Sequence, residues 1–322
     1  MRTVSCNLCG ADDYRVVYRA GDAQVHQIVR CRQCGLMYAN PQTHVDCESF
    51  LALPASEKYD PESEAYNFYY RKQLTQLPDN VRALRVLNRE FPRRGRLLEV
   101  GCFTGTFLNR IRSDGWEVTG LEPFRPVAEY ARSKHNLEII EGLLPDPRLR
   151  TSHYDAVMML HVIEHLPDPT ANLRELRRVL KPGGVLVIET PRFNSLSFKI
   201  LGRHERSIQN CSGHIYFFTE QTLLQMLKQS GFDVFRVERV GRTLTLERLL
   251  FNIGLVSRSA RVRRWLARVG QTRWLREATL YVNVRDMQRM YARVPMVKPE
   301  VPQNAGDHPS TGVVREQQTQ PA

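Results

Sequence analysis

The chain has 322 residues, a formal net charge of +12, 42% hydrophobic residues and 25% charged residues, the composition of an ordinary soluble protein with room for one sizeable domain and a small one. No apolar run is long enough to span a bilayer, and Met1-Arg2-Thr3-Val4-Ser5-Cys6 lacks the apolar core of a secretory signal. The expected compartment is therefore the cytoplasm, where thiols stay reduced, so the seven cysteines point to a metal before disulfides. The basic balance permits a nucleic acid or an anionic membrane as partner and requires neither.

Residues 1–45 carry two Cys-x-x-Cys-Gly units, Cys6-Asn7-Leu8-Cys9-Gly10 and Cys31-Arg32-Gln33-Cys34-Gly35. Each places two sulfurs on a tight turn relieved by its glycine. Four thiolates give Zn²⁺ a closed tetrahedral shell, which is structural rather than catalytic. Cys6, Cys9, Cys31 and Cys34 are the expected ligands of a zinc ribbon whose folding energy comes from the metal. Tyr14–Tyr18 and Val25–Arg30 read as its short strands. Cys47, Cys102 and Cys211 read as ordinary small side chains without metal.

Residues 46–95 crowd Tyr59, Tyr66, Phe68, Tyr69 and Tyr70 into a charged stretch. Val81, Leu84, Val86 and Leu87 follow at near-helical spacing. One or two helices are expected, with the tyrosines either packing them onto the next domain or lining a substrate pocket.

Arg96-Leu97-Leu98-Glu99-Val100 is a short apolar run ending at an acid. Gly101-Cys102-Phe103-Thr104-Gly105 is a turn, and Thr106-Phe107-Leu108 opens an amphipathic segment. The pattern is strand, tight loop, helix, with free N–H groups at the helix start that suit a polar or anionic ligand group. The next strand, Gly115–Glu122, ends in an acid placed to accept both hydroxyls of a ribose. A glycine loop followed by an acid is shared with NAD enzymes.

Downstream, Pro126–Arg132 is a helix and Leu137–Gly142 a third strand. Tyr154–Leu160 is a near-continuous apolar run, as a buried parallel strand should be, and it delivers His161-Val162-Ile163-Glu164-His165-Leu166 to the carboxyl end of the sheet. Leu173, Leu176, Val179 and Leu180 form a helix face stopped by Lys181-Pro182-Gly183-Gly184, before a fifth strand over Val185–Pro191. Phe193–Ser212 reads as a loop insertion. Gly213–Thr219 leads into a helix, and Phe232–Val240 is a sixth strand.

Together these features resemble class I S-adenosylmethionine (SAM) dependent methyltransferases, whose first motif is acid-x-Gly-x-Gly-x-Gly. Glu99, Gly101 and Gly105 match it, and Phe103 stands where the middle glycine is usual. The string from His161 to Pro191 is a second match. The ribbon, followed by Gly35-Leu36-Met37-Tyr38-Ala39-Asn40-Pro41, is similar to the N-terminal zinc-binding module of bacterial methyltransferases of sugar, surface-glycan and secondary-metabolite pathways. The resemblance implies an α/β fold: a Rossmann-like seven-stranded class I methyltransferase domain over residues 96–297 behind a small zinc ribbon. It implies SAM contacts from Glu99, Gly101, Cys102, Phe103, Gly105, Glu122, Pro123, Leu143 and His161. It also places His214 near the acceptor, as the general base or bonded to a loop carbonyl, while His165 reads as structural.

Tyr281–Val294 resembles that family's last strand, inserted antiparallel beside the sixth. Residues 244–280 are then an excursion in which Leu246, Leu249, Leu250, Ile253, Val262, Trp265, Leu266, Val269, Trp274 and Leu275 alternate with Arg258, Arg261, Arg263, Arg264, Arg268, Arg273 and Arg276. Peripheral contact with an anionic membrane, helix packing and a dimer contact all explain that pattern. Residues 298–322 read as a disordered tail.

The expected activity is methyl transfer from SAM to a small-molecule or saccharide acceptor. An RNA methyltransferase fits the charge, but the chain lacks an Asn-Pro-Pro-Tyr turn after the fourth strand and a Pro-Cys nucleophile, so a nucleic-acid acceptor is not favoured. A zinc-ribbon scaffold with a degenerate SAM site is the non-enzymatic alternative. The sequence leaves the oligomeric state open.

Overall fold

A computed structural model of the chain describes residues 2–21, 27–42, 59–202, 208, 213–256, 259–270 and 272–296. Cys47, Cys211, Val25, His26, Arg258, the side chains of Tyr66, Phe68, Tyr69, Arg263 and Arg273, and the tail from Lys298 lie outside what is described.

The N-terminal region forms β1 (Tyr14–Tyr18), β2 (Ile28–Cys31) and β3 (Met37–Ala39), paired antiparallel in that order. Among the described residues a long helix follows, α1 (Glu64–Glu90), which runs through Pro78. Then β4 (Arg96–Val100), α2 (Thr106–Ser113), β5 (Glu117–Glu122), α3 (Arg125–His135) and β6 (Glu138–Glu141) alternate. β7 (Tyr154–Leu160), α4 (Pro169–Val179) and β8 (Leu180–Pro191) continue the pattern. β6, β5, β4, β7 and β8 are parallel neighbours. Parallel neighbours require crossover connections, which explains the intervening helices.

Side chains alternate across β4: Leu98 faces the apolar cluster containing Leu173, Leu176 and Phe218, while Leu97 faces the one containing Phe107, Leu84 and Leu87. The first cluster also contains Leu8, Val29, Leu36 and Tyr38, so the cysteine-bearing region shares a core with the α/β domain.

Several elements differ from the sequence reading. Phe193–Ser212, read as a loop, contains the short helix α5 (Leu196–Leu201). The Lys181-Pro182-Gly183-Gly184 stop lies inside β8, because α4 already ends at Val179 and the register skips from Tyr154↔Leu180 to Ala156↔Val185. Gly183 at φ +78° allows this bulge, and two backbone bonds pin it, Gly183 N–H to Val294 O and Val294 N–H to Gly184 O, both 2.9 Å. Third, β9 (Tyr216–Phe217) leaves the α/β domain and pairs with β3, completing a four-stranded sheet of order β1-β2-β3-β9. The ribbon is thus stitched to the domain, and Thr170 seals the contact by donating its N–H (3.0 Å) and hydroxyl (2.7 Å) to the side-chain oxygen of Asn7.

After α6 (Glu220–Gln229), β10 (Asp233–Thr245) and β11 (Thr279–Arg293) complete a seven-stranded sheet of order β10-β11-β8-β7-β4-β5-β6, with β11 antiparallel to both neighbours. Their hairpin is longer than the sequence suggested and runs on to Thr245↔Thr279. Its tip carries α7 (Leu246–Val256), α8 (Ala260–Gly270) and α9 (Arg273–Glu277). Trp265 and Trp274 are 61% and 69% exposed there, among exposed Arg261, Arg264, Arg268 and Arg276. No helix among the described residues is long and apolar enough to cross a membrane.

Candidate functional site

The two cysteine units fold as matching turns. Gly10 N–H donates to Cys6 O (2.7 Å) and Gly35 N–H to Cys31 O (3.1 Å), with Gly10 and Gly35 at φ +76° and +79°. The turns bring Cys6 Sγ to 3.4 Å from Cys34 Sγ and Cys9 Sγ to 3.5 Å from Cys31 Sγ, and all four sulfurs lie within 4.8 Å of one another. A tetrahedron with metal–sulfur bonds of about 2.3 Å has sulfurs about 3.8 Å apart, so the cluster fits one ion. Burial pushes the Cys6 thiol up to about 11 and raises Cys34 further. Burial acts the same way on Cys31, but N–H donors of Cys34 and Gln33 outweigh it and hold that thiol at about 7. The four cysteines, Cys6 and Cys31 buried and Cys9 and Cys34 partly exposed, form a cluster able to chelate a metal.

The glycine turn lies at the carboxyl end of β4. Gly101 and Gly105 have φ +73° and +70°; Phe103, in the place of the usual middle glycine, also adopts a left-handed backbone at φ +48°. The chain therefore keeps the turn that a glycine would give, at a local cost of about 1–2 kcal/mol. Two contacts hold it. Phe103 N–H donates to Glu122 Oε2 at 2.8 Å, and the Phe103 ring meets Tyr59 edge-on at 5.8 Å, which in turn meets Tyr130 at 5.1 Å. Of the N-terminal tyrosines, Tyr59 thus packs its segment onto the domain.

Glu122 is 6% exposed, and its other oxygen accepts from Phe124 N–H at 3.0 Å. Burial raises its acid to about 7 against the pull of those two N–H donors. A carboxylate has about four acceptor positions, so two are left for ligand hydroxyls. Glu99 is equally buried; burial, then the nearby Glu122 charge, raises its acid well above the ordinary range. Glu99 Oε2 has no hydrogen-bond partner among the described residues, an orphaned acceptor that a cationic ligand group would satisfy. Cys102 is buried, and a Cβ on Gly120 would come within 2.6 Å of its Sγ, so it fills the gap between β4 and β5. Pro123 follows Glu122 and is half-buried, as is Leu143 beyond β6. These residues share one rim because β6, β5, β4 and β7 are adjacent and parallel.

His161 directly follows β7, with φ +59°. Its Nε2 lies 3.4 Å from Glu189 Oε1, and its N–H donates to Glu189 O at 2.8 Å. Glu189 pairs with Arg289 at 2.5 Å, both side chains 3% exposed. Burial would raise the Glu189 acid, but Arg289 and His161 hold it down at about 2. Arg289 also donates to Asp79 O of α1 (3.0 Å), and Asp79 accepts from Thr243 N–H (2.6 Å). The rim and α1 are thus tied together by one buried polar network. α1 reaches the glycine turn as well: Gln73 accepts a short hydrogen bond from the Thr104 hydroxyl.

His214 lies against His165, ring centroids 4.6 Å apart at 73°. His165 Nδ1 is 2.6 Å from Gly213 O, the local backbone contact expected of a structural histidine. His165, Glu164, Gln73 and the Glu189–Arg289–Asp79 chain are the site features that the sequence reading did not single out for function.

A family model described as methyltransferase domain matches residues 69–237. The chain belongs to the methyltransferase domain family. Among curated relatives of this methyltransferase domain, the ubiquinone biosynthesis O-methyltransferase of Alkalilimnicola ehrlichii is 34% identical over 119 residues, covering 33% of this chain and 47% of that protein. The tRNA U34 carboxymethyltransferase of Psychromonas ingrahamii is 28% identical over 161 residues, 47% of this chain and 48% of that protein. The chain spans about half the length of these curated relatives. In fold, it is similar to Haemonchus contortus phosphoethanolamine N-methyltransferase 2, solved with S-adenosyl-L-methionine, with a TM-score of 0.50 and 17% identity over 81% of this chain and 62% of that one.

Proposed function

We propose that the chain transfers the methyl group of SAM to a small-molecule acceptor, with saccharide intermediates included in that class. The observation that carries this reading is the pair of buried acids, Glu99 and Glu122, flanking a glycine-type turn that Phe103 preserves. On this reading Glu122 accepts the ribose hydroxyls, Glu99 faces the cationic methionine portion with His161 beside it, and Gly101, Cys102, Phe103 and Gly105 shape the floor. Pro123 and Leu143 border the adenosine. When bound, SAM supplies a sulfonium, already a good leaving group, so the protein's work is alignment and exclusion of water. His214 serves the acceptor side, where a hydroxyl must lose its proton as the new bond forms.

The cysteine cluster holds one structural Zn²⁺ on this reading, and its effect on the site runs through β9. Because Tyr216–Phe217 pair with β3, ordering the ribbon also orders the segment that carries His214. The O-methyltransferase activity named for the Alkalilimnicola ehrlichii relative supports a hydroxyl acceptor. The test is transfer of label from methyl-labelled SAM to small-molecule, saccharide and RNA fractions of a bacterial extract. Label in the small-molecule or saccharide fraction supports the proposal. Label confined to RNA refutes the acceptor class, and protein that binds no SAM is the non-catalytic scaffold.

A further inference from the structure

Beyond β7 the chain makes a tight turn over Ile163–His165, and the segment from Gly213 lies against it. Ile215 N–H donates to Glu164 O at 2.7 Å. His165 Nδ1 is 2.6 Å from Gly213 O. A carbonyl only accepts, so Nδ1 carries the proton and Nε2 presents its lone pair. Glu164 is 1% exposed, and its Oε2 accepts from the Thr190 hydroxyl at 2.9 Å. Two ligand-type side chains are thus each oriented by a second partner, the arrangement that outer hydrogen bonds impose on metal ligands. A ring nitrogen of His214 completes a set in which one atom from each residue lies within 4.8 Å of the others.

We propose that Glu164, His165 and His214 form a second metal site, separate from the cysteine cluster, that takes one divalent transition-metal ion on a carboxylate oxygen and two imidazole nitrogens. The donor set suits Mn²⁺, Fe²⁺ or Zn²⁺, and three protein ligands leave positions open for another ligand. The site borders the glycine turn: a Cβ on Gly101 would come within 2.6 Å of Val162 Cγ2, on the loop that carries Glu164 and His165. Its role rests on the methyltransferase reading. An acceptor hydroxyl bound at an open position loses its proton to solvent, and its oxygen then bonds to the methyl carbon while the C–S electron pair leaves with sulfur. His214 then acts as a ligand rather than as a direct base.

The test titrates the full, zinc-loaded chain with Mn²⁺ and follows the electron paramagnetic resonance signal of the free ion, because tetrathiolate sites do not favour Mn²⁺. About one Mn²⁺ per chain is expected, with total zinc reaching about two equivalents in excess zinc. Thr190→Val, which removes the hydroxyl orienting Glu164, is expected to weaken Mn²⁺ about 10- to 100-fold, and His214→Gln at least as much. Wild-type protein that takes up no Mn²⁺ and stops at one zinc overturns the site, as does unchanged Mn²⁺ affinity in both variants. Calorimetric SAM binding on the same samples separates the two readings. SAM binding without Mn²⁺ uptake removes the metal site and keeps the methyltransferase. Mn²⁺ uptake without SAM binding keeps the metal site and removes the role given to it.

Discussion

Replacing Glu122 by Gln isolates the part of the site on which the cofactor reading rests. Glu122 is buried, bonded to Phe103 and Phe124 N–H, and raised by burial to about 7. Ribose hydroxyls that donate to it favour the carboxylate, so binding expels a proton wherever the free protein holds one. SAM affinity is therefore expected to fall about tenfold between pH 8 and pH 6. Glu99, raised by burial and by Glu122, adds to the same trend. The stability sign is opposite. A folded-state pKa above the unfolded one contributes stability that is fully present below about 4.5 and lost as the pH rises through about 7, on the order of 3 kcal/mol for the ligand-free protein. Gln does not titrate. Glu122→Gln should bind SAM about 5- to 15-fold more weakly at pH 8, the difference between charged and neutral acceptors, with this group's share of both pH trends removed. Glu122→Ala should lose about 1.5–3 kcal/mol. Calorimetry at pH 6, 7 and 8 and melting curves over the same range read both effects. Wild-type affinity independent of pH, or a Gln variant with the parent's slope, would refute the placement of the ribose on Glu122.

Metal analysis of protein purified without chelator should find about one zinc per chain, and Cys31→Ser should reduce it; less than about half an equivalent would count against the tetrathiolate site. Arg289→Met should leave the buried Glu189 carboxyl with His161 but without its guanidinium and lower stability by about 3–5 kcal/mol in thermal or denaturant unfolding, whereas a loss under about 1 kcal/mol would show that the pair is not uniquely required. His214→Ala should lower kcat at least about tenfold with SAM affinity nearly unchanged. If SAM affinity falls instead, His214 belongs to the cofactor pocket. Of the three readings of the helical tip, membrane contact predicts that vesicles containing an anionic lipid co-sediment the chain and that Arg264→Glu weakens that binding by about 1 kcal/mol or more; equal sedimentation with neutral vesicles would leave helix packing or a dimer contact.

Much of the α/β domain was legible because parallel strands leave apolar runs and glycine turns leave gaps in them. Leu97-Leu98 and Val157-Met158-Met159 announced buried strands, and the doubled Cys-x-x-Cys-Gly spacing announced the cluster. The backbone of Phe103 was not legible, because its left-handed turn depends on Glu122 and Tyr59, contacts made only after folding. β9 is two residues long and finds its partner in the ribbon, so no local period marks it. Nothing in the sequence linked Glu189, Arg289 and Asp79; the antiparallel insertion of β11 beside β8 buries the first two together beneath α1. His165 showed the same limit: its partner Gly213 arrives from a distant segment, just ahead of β9.

The most direct measurement is equilibrium binding of SAM to the purified full chain, with Gly101→Val beside it. Gly101 has φ +73°, and any Cβ there would meet Val162 at 2.6 Å, so the variant should not hold the turn. The account predicts one SAM per wild-type chain with a dissociation constant in the range of about 1 µM to 1 mM, and no measurable binding by the variant. Wild-type protein that binds no SAM, or a Gly101→Val protein that binds it like the parent, would contradict it.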